Sequence, residues 1–543
     1  SDGDDDKYLE NVHYFVFGCG NTNWSSTYQK MPTLFDESLE KLGATRIADP
    51  AEFDEAKDEL EEVFGEYYKT MAPALMHNLP AIGDKKLRDV NKENGGDNSK
   101  DGDDDDEDFS KESKLEAQSS SSAISLDVVG DRDETDAEFI PSATVKEDKY
   151  KPCKVVKVEN ITPDSDRGTL HVELEPEEEM EYRAGDHFVV LPRINKEYAE
   201  RVLEHFVDYG LDTVIQFKSD SDKPPKKFKL PIDKPITVET LLCNLVDLKK
   251  KPSKQCMLNY STIVESDEDR EKLEKFAHDK ESFNKWMKEN EPVSIVDVIE
   301  NFKPREDEFD RLMEILPMLS TRTYSITSSP NVHDKQIHLC CGMVNDEFDN
   351  GTYKGVCSSY FDSLKDSEGE TVYGYVEKAS DSFAVPEKGE RPIILISAGT
   401  GFAPMRGFLH ERKSQDTKGS NVVFFGCRTE DKDILYKEEI DEWKESDFID
   451  IHYAFSRSEQ YEKKYVQDVI KEEKDLVWKL IDEEDAVLFV CGSGSRMGSG
   501  VREALLEIFK EHCPDDEDDK DKWADEYMEK LEDNDRYELD VWG

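Results

Sequence analysis

Pro392-Ile393-Ile394-Leu395-Ile396-Ser397-Ala398-Gly399-Thr400-Gly401-Phe402-Ala403-Pro404 is the stretch on which the fold turns. A continuous apolar run leads into two glycines and then a helical pattern through Arg412. A strand that is apolar on both faces must be covered on both, as in a parallel sheet between helices. Val422-Val423-Phe424-Phe425-Gly426, Ile449-Asp450-Ile451-His452-Tyr453-Ala454 and Val487-Leu488-Phe489-Val490-Cys491-Gly492 repeat the pattern. Residues 391–543 therefore read as one α/β domain. In such sheets ligands sit at the carboxyl ends of the strands, so the residues after each run carry the chemistry. Gly399-Thr400-Gly401 suits a pyrophosphate, because glycines admit close backbone approach and a helix start offers free N–H groups. Pro404 stands where a G-x-G-x-x-G motif would place its third glycine, so this loop alone also reads as a tight turn.

The following strand ends narrow the choice. Arg428 follows the second run, and Ser456, Arg457, Lys463, Tyr465 and Gln467 follow the third. Arginine forks, a lysine charge and hydroxyls suit a 2′-phosphate, whereas an NADH site presents an acid to the ribose. The bland alternative is a solvated cationic face, which fits poorly in a chain of net charge −55.

Upstream, residues 137–390 read as β-rich, interrupted by helical segments over about 197–319. Tyr182-Arg183-Ala184-Gly185-Asp186-His187-Phe188-Val189-Val190-Leu191-Pro192 is a turn and an apolar strand. The expectation is an antiparallel barrel with a helical insertion that returns the chain beside Gly185-Asp186-His187. Arg322-Thr323-Tyr324-Ser325 and Gly355-Val356-Cys357-Ser358 are its candidate ligand segments. Arg322 and the backbone of Gly355 to Ser358 could hold phosphate, Tyr324 could stack on a flavin and Ser325 could face its reactive edge. Tyr324 alone reads as an ordinary core aromatic.

Residues 1–80 read as strand, loop, helix, strand and helix, with Ala51 opening the last helix. Residues 81–136 lose periodicity and contain Asp103-Asp104-Asp105-Asp106-Glu107-Asp108, so they read as a disordered acidic linker. The whole chain has 543 residues, a length that suggests about three domains. Its charge excludes the basic footprint of a nucleic-acid binder. No run of about 18 apolar residues suggests a membrane span, and no signal pattern opens the chain. Ten cysteines without a C-x-x-C pair read as neither disulfide nor zinc framework, so a cytoplasmic protein with no metal is expected. The start at Ser1 rather than Met reads as a piece of something longer.

Taken together, Arg322-Thr323-Tyr324-Ser325, Gly355-Val356-Cys357-Ser358, Gly399-Thr400-Gly401-Phe402-Ala403-Pro404, Phe425-Gly426-Cys427-Arg428, Ala454-Phe455-Ser456-Arg457, Cys491-Gly492 and Asp540-Val541-Trp542 resemble the signatures of diflavin reductases. The type is NADPH–cytochrome P-450 reductase. Gly18-Cys19-Gly20-Asn21-Thr22-Asn23-Trp24 is most similar to the reductase half of fused, self-sufficient P-450 monooxygenases. The resemblance implies a partial flavodoxin-like FMN domain, a ferredoxin-reductase-type FAD-binding barrel and a parallel-sheet NADP-binding domain. It implies hydride transfer from NADPH to FAD, then electron transfer through FMN to a haem protein, which could be fused upstream. Ser325, Cys491, Asp540 and Trp542 would be catalytic. Arg322, Tyr324, Cys340, Gly355, Val356, Cys357, Ser358 and Trp542 would bind FAD. Thr400, Arg428, Ser456, Arg457, Lys463, Tyr465 and Gln467 would bind NADPH, and Gly20, Asn23 and Trp24 FMN. The family's FMN phosphate loop has no match here, which leaves an FAD-only or sulfite-reductase-type flavoprotein as the alternative.

Overall fold

The computed structural model describes residues 12–20, 29–54, 124–133, 135–146, 149–219, 228–386, 390–515 and 517–542, with Leu9, Tyr67 and Met71. These fall into two compact units. One takes the described residues of 1–114 with Ser493–Glu503 and those of 541–543; the other takes those of 115–492 and Ala504–Asp540.

In the smaller unit two short parallel pairs flank one helix. His13–Tyr14 pairs with Thr45–Arg46, and Phe17–Gly20 pairs with Ala51–Asp54. Helix Lys30–Lys41 is anchored by the Tyr14 hydroxyl, which donates to the Asp36 carbonyl at 2.9 Å. Arg46 closes on the Asp36 carboxylate, with Nε to Oδ1 at 2.8 Å. Ala51–Asp54 is thus a strand, not the start of a helix. Pro50 breaks the preceding pattern, and four residues are too few to display the helical period that their charges suggested.

The larger unit holds a six-stranded antiparallel sheet. Its order is Arg322–Ser325, His187–Leu191, Thr371–Glu377, Lys151–Asn160, Thr169–Pro176, Ile337–Gly342. A bridge between Ile326 and Leu339 joins the two edges, so the sheet closes as a barrel around Cys153, Leu170, Val172, Phe188, Val190 and Leu339. Gly185 makes the turn before His187 at φ +97°, and a Cβ there would lie 2.7 Å from the Phe383 carbonyl. Asp186, 1% exposed, fixes that turn by accepting from the backbone N–H groups of Arg183 and Ala379.

The inserted segment is helical but carries its own small sheet, Ile236–Thr237, Thr213–Ser219 and Ile124–Asp131. Ile124–Asp131 lies inside the stretch expected to be disordered linker. It is mostly exposed, so its alternation is weak, and antiparallel pairing with Thr213–Ser219, distant in sequence, makes it a strand.

Beyond the barrel, Asp450–Phe455, Asn421–Cys427, Ile393–Ala398 and Val487–Ser493 form parallel neighbours in that order, with Tyr537–Trp542 beside the last. The chain first builds outward from Ile393–Ala398 on one side and later returns to its other side. The crevice at that reversal lies between Ile393–Ala398 and Val487–Ser493. Among the described residues no helix is long and apolar enough to cross a membrane. All ten cysteines are free thiols.

Candidate active site

Asp540 is the centre of the site. Ser325 Oγ donates to Asp540 Oδ2 at 2.7 Å. Cys491 Sγ lies 3.6 Å from the same oxygen, and His187 Nε2 lies 3.0 Å from Oδ1. These groups come from four strands: the two barrel strands of His187 and Ser325, which face each other in register, the strand of Cys491, and the C-terminal strand. Burial opposes ionisation of Asp540, but the hydrogen bonds from His187, Ser325 and Cys491 outweigh it, so its carboxyl titrates below the ordinary range. The bond to Asp540 lifts His187 above its ordinary value against burial. Burial, reinforced by Asp540, pushes the Cys491 thiol well up, so it stays a neutral donor.

The reversal crevice borders this cluster. Ser397 pairs with Cys491, and Gly399–Gly401 turns immediately beyond. Gly399 has φ +54° and faces open space; a Cβ on Gly401 would lie 2.1 Å from the Cys491 carbonyl. The loop therefore lies against the thiol's own backbone, and the helix Phe402–Ser414 starts there with no side-chain cap. Its first N–H groups are available to an anion.

Two further places fit phosphate. Helix Val356–Ser363 begins at Gly355 without a side-chain cap. It opens on a cavity of about 640 Å³ whose lining includes Lys249, Lys354, Val356 and Ser358, with Arg193 and Lys196, both paired to Glu239, and the acids Glu197, Asp362 and Glu370. Burial holds the Lys249 ammonium down at about 8, and a bound anion would relieve that cost. The cavity size and donor set fit a dinucleotide diphosphate such as that of FAD. Arg322 lies near enough to act electrostatically on Asp247, Tyr353 and Cys357.

At the far strand ends Arg428 is depressed by burial and by the repelling charges of Arg457 and Arg167. Among the described residues neither Arg428 nor Arg457 has a carboxylate within ion-pair distance, in a protein with 126 acids. Arg457 N–H donates to the Arg428 carbonyl at 2.8 Å, and Ser456 Oγ donates to the Cys427 carbonyl at 3.2 Å, which ties the two loops together. Lys463 stands 5.3 Å over the Tyr465 ring, and Tyr465 and Gln467 lie at the start of helix Val466–Glu472. Asp433 and Asp166 offset part of this repulsion, but Arg428 is still held down, and such gathered cations fit a phosphate monoester.

The structure thus brings Ser325, Cys491 and Asp540 together, and gathers Arg428, Ser456 and Arg457. Cys340 is buried among Ala184, Phe402 and Phe425, while its neighbour Cys341 reaches Tyr324 Oη at 3.3 Å. Successive strand side chains point to opposite faces, and one residue decides which reaches Tyr324. Tyr324 itself packs on Phe361 with ring centroids 5.9 Å apart. Cys357 is buried in the barrel core, so it can offer a ligand only its backbone. Trp542 ends its strand 46% exposed. Gly20 ends strand Phe17–Gly20, whereas Asn23 and Trp24 lie outside the described residues. His187, Arg167 and the lysines of the cavity were missed. The Gly185-Asp186 turn was the available signal for His187; Arg167 sits in an acidic loop that gives none.

Three families match along the chain: flavodoxin over residues 1–67, the FAD-binding domain over 143–360 and the oxidoreductase NAD-binding domain over 395–503. The chain is 30% identical over 540 residues to a bifunctional cytochrome P450/NADPH–P450 reductase of Bacillus cereus, covering 98% of this chain and 46% of that protein. A second such protein, from Bacillus subtilis, is 30% identical over 543 residues with the same coverages. The NADPH–cytochrome P450 reductase of Musca domestica is 29% identical over 554 residues, covering 98% of this chain and 76% of that one. The chain spans about half the length of the fused relatives. Flavodoxin, FAD-binding and oxidoreductase NAD-binding domains thus lie in that order along a chain that is similar over nearly its whole length to fused P450/reductase proteins and to NADPH–cytochrome P450 reductases.

Proposed function

We propose that this chain is an NADPH–haemoprotein reductase of the cytoplasm, which takes electrons from NADPH through FAD and FMN to a P450-type haem protein. The observation that carries this reading is the meeting of Ser325, Cys491 and His187 on Asp540 at the sheet's reversal crevice. Bound FAD would accept hydride from NADPH and release the electrons singly.

The chain's own residues prepare that step. Arg428, Arg457, Ser456, Lys463, Tyr465 and Gln467 hold the 2′-phosphate, and Thr400 with the Gly399–Gly401 turn takes the pyrophosphate of NADPH. Arg322, the start of helix Val356–Ser363 and the lysine-lined cavity hold FAD. The Ser325 proton is committed to Asp540, so its oxygen would offer lone pairs to a bound flavin. The Asp540 carboxylate favours positive charge developing on the nicotinamide. Cys491 packs beside it as a neutral thiol and adds no competing charge.

The test is a flavin count joined to transient kinetics. Extraction is expected to return FAD and FMN in equal amounts. NADPH should reduce both flavins anaerobically, and the reduced protein should then reduce a P450 haem. Absence of flavin reduction by NADPH rejects the reductase reading. FAD alone, with ferricyanide but no haem reduction, rejects the FMN and haem steps.

A further inference from the structure

Four of the eleven histidines gather at one place on the flank of the barrel. His171 and His338 stand on adjacent strands with ring centroids 5.1 Å apart. His333 lies 4.1 Å from His338, and His410 lies 5.1 Å from His333. None of them belongs to the site around Asp540. His171, His338 and His410 are 6%, 3% and 5% exposed. Three buried ring nitrogens, His333 Nε2, His338 Nδ1 and His410 Nδ1, have no hydrogen-bond partner among the described residues. Buried polar atoms are nearly always paired, and an orphan calls for a ligand.

One nitrogen from each of His171 and His338 and one Glu173 oxygen lie within 4.8 Å of one another. We propose that His171, His338 and Glu173 form a binding site for one divalent transition-metal ion of the zinc type. Two imidazoles and a carboxylate, with water in the fourth position, are a ligand set that zinc accepts. Ligand atoms about 2.0–2.1 Å from a tetrahedral centre lie about 3.3 Å apart. His171 Nε2 and Glu173 Oε1 are already at 3.3 Å.

The surrounding groups orient the rings as metal ligands require. His338 Nε2 lies 3.3 Å from Gln336 Oε1, so its proton sits there and Nδ1 keeps a bare lone pair. His171 Nδ1 lies 2.9 Å from Tyr436 Oη, which frees Nε2 toward Glu173. Arg406 acts on both rings as a repelling charge. Its guanidinium is committed, however, to Glu439 and to the Thr327 carbonyl, with Cζ 4.4 Å from the centroid of the Tyr436 ring. The Glu173 side chain is 21% exposed, which gives an ion its entry. Tyr436 comes from the domain that carries the parallel sheet, so a bound ion would stiffen the contact between that domain and the barrel.

Calorimetric titration of the full chain with Zn²⁺ tests this, with excess Mg²⁺ present to occupy the acidic surface. One saturable site per chain is expected. His338→Gln and Glu173→Gln should each weaken it by at least about tenfold. His278→Gln, at an exposed helix end, should leave it unchanged. Zinc should raise the melting temperature of the parent chain and of His278→Gln, but not of the two site variants. X-ray absorption at the zinc edge of the loaded parent chain needs no variant to fold, and should show imidazole nitrogen and oxygen neighbours. No saturable binding, sulfur neighbours at the zinc, or parental affinity in both His338→Gln and Glu173→Gln would overturn the proposal.

Discussion

Asp540 receives hydrogen bonds from a serine, a histidine and a thiol on separate segments, and each contact constrains its charge. Replacement by Asn keeps the shape but removes the anion, so hydride transfer should slow roughly 10²-fold or more at unchanged folding. Stopped-flow flavin reduction checks this, and a rate within twofold of the parent would remove Asp540 from the chemistry. The partner His187 has a raised pKa and Asp540 a lowered one. The histidine's contribution to stability is complete below its ordinary value and is lost as pH rises through the folded value. The aspartate's contribution is present above its ordinary value and is lost as pH falls through the folded one. The melting-temperature gap between the parent and His187→Gln should therefore be widest between about pH 4 and 6.5 and should close in alkali. Farther along the sheet, Arg457 has no carboxylate within ion-pair distance among the described residues, and it is proposed to serve the 2′-phosphate. Arg457→Ala should raise the KM for NADPH roughly ten- to hundredfold and leave that for NADH nearly unchanged. Equal effects on both cofactors would reject the assignment.

Among the elements, the turn Gly399–Gly401 shows how backbone shape makes a site. Gly401 is glycine because the Cys491 carbonyl occupies the place of its Cβ. Gly401→Ala should push the turn from the neighbouring strand end and destabilise the larger unit by about 1–3 kcal/mol. Urea unfolding should show a lower midpoint at an unchanged slope, and an unmoved midpoint would mean that the turn gives way freely. The strand Ile124–Asp131 makes the converse point. Its residues are mostly exposed and sit next to an acidic run, so no local pattern marks them. Pairing with Thr213–Ser219 supplies the order that composition denies.

Over the whole molecule, 126 acids against 71 bases create a long-range field. Electron delivery to a cationic haem protein should slow steeply as ionic strength rises, because salt screens the attraction. Ferricyanide, an anion, should instead be reduced faster in salt. Opposite slopes in the two assays identify the field as the cause; parallel slopes would point to a salt effect on the protein itself.

The parallel sheet, the barrel and the strand-end cations were legible in the chain, because continuous apolar runs and the residues that end them are local features. Ser325, Cys491 and Asp540 could be named from motifs, and Arg428 and Arg457 from their place after strands. Tertiary structure alone decided that His187 closes on Asp540, that Cys341 meets Tyr324, and that Arg167 joins Arg428. It also decided that His171, Glu173 and His338 share one place. Periodicity reports which face of an element is buried. Which distant face it meets is set by sheet register and barrel closure, and these are properties of the packed whole.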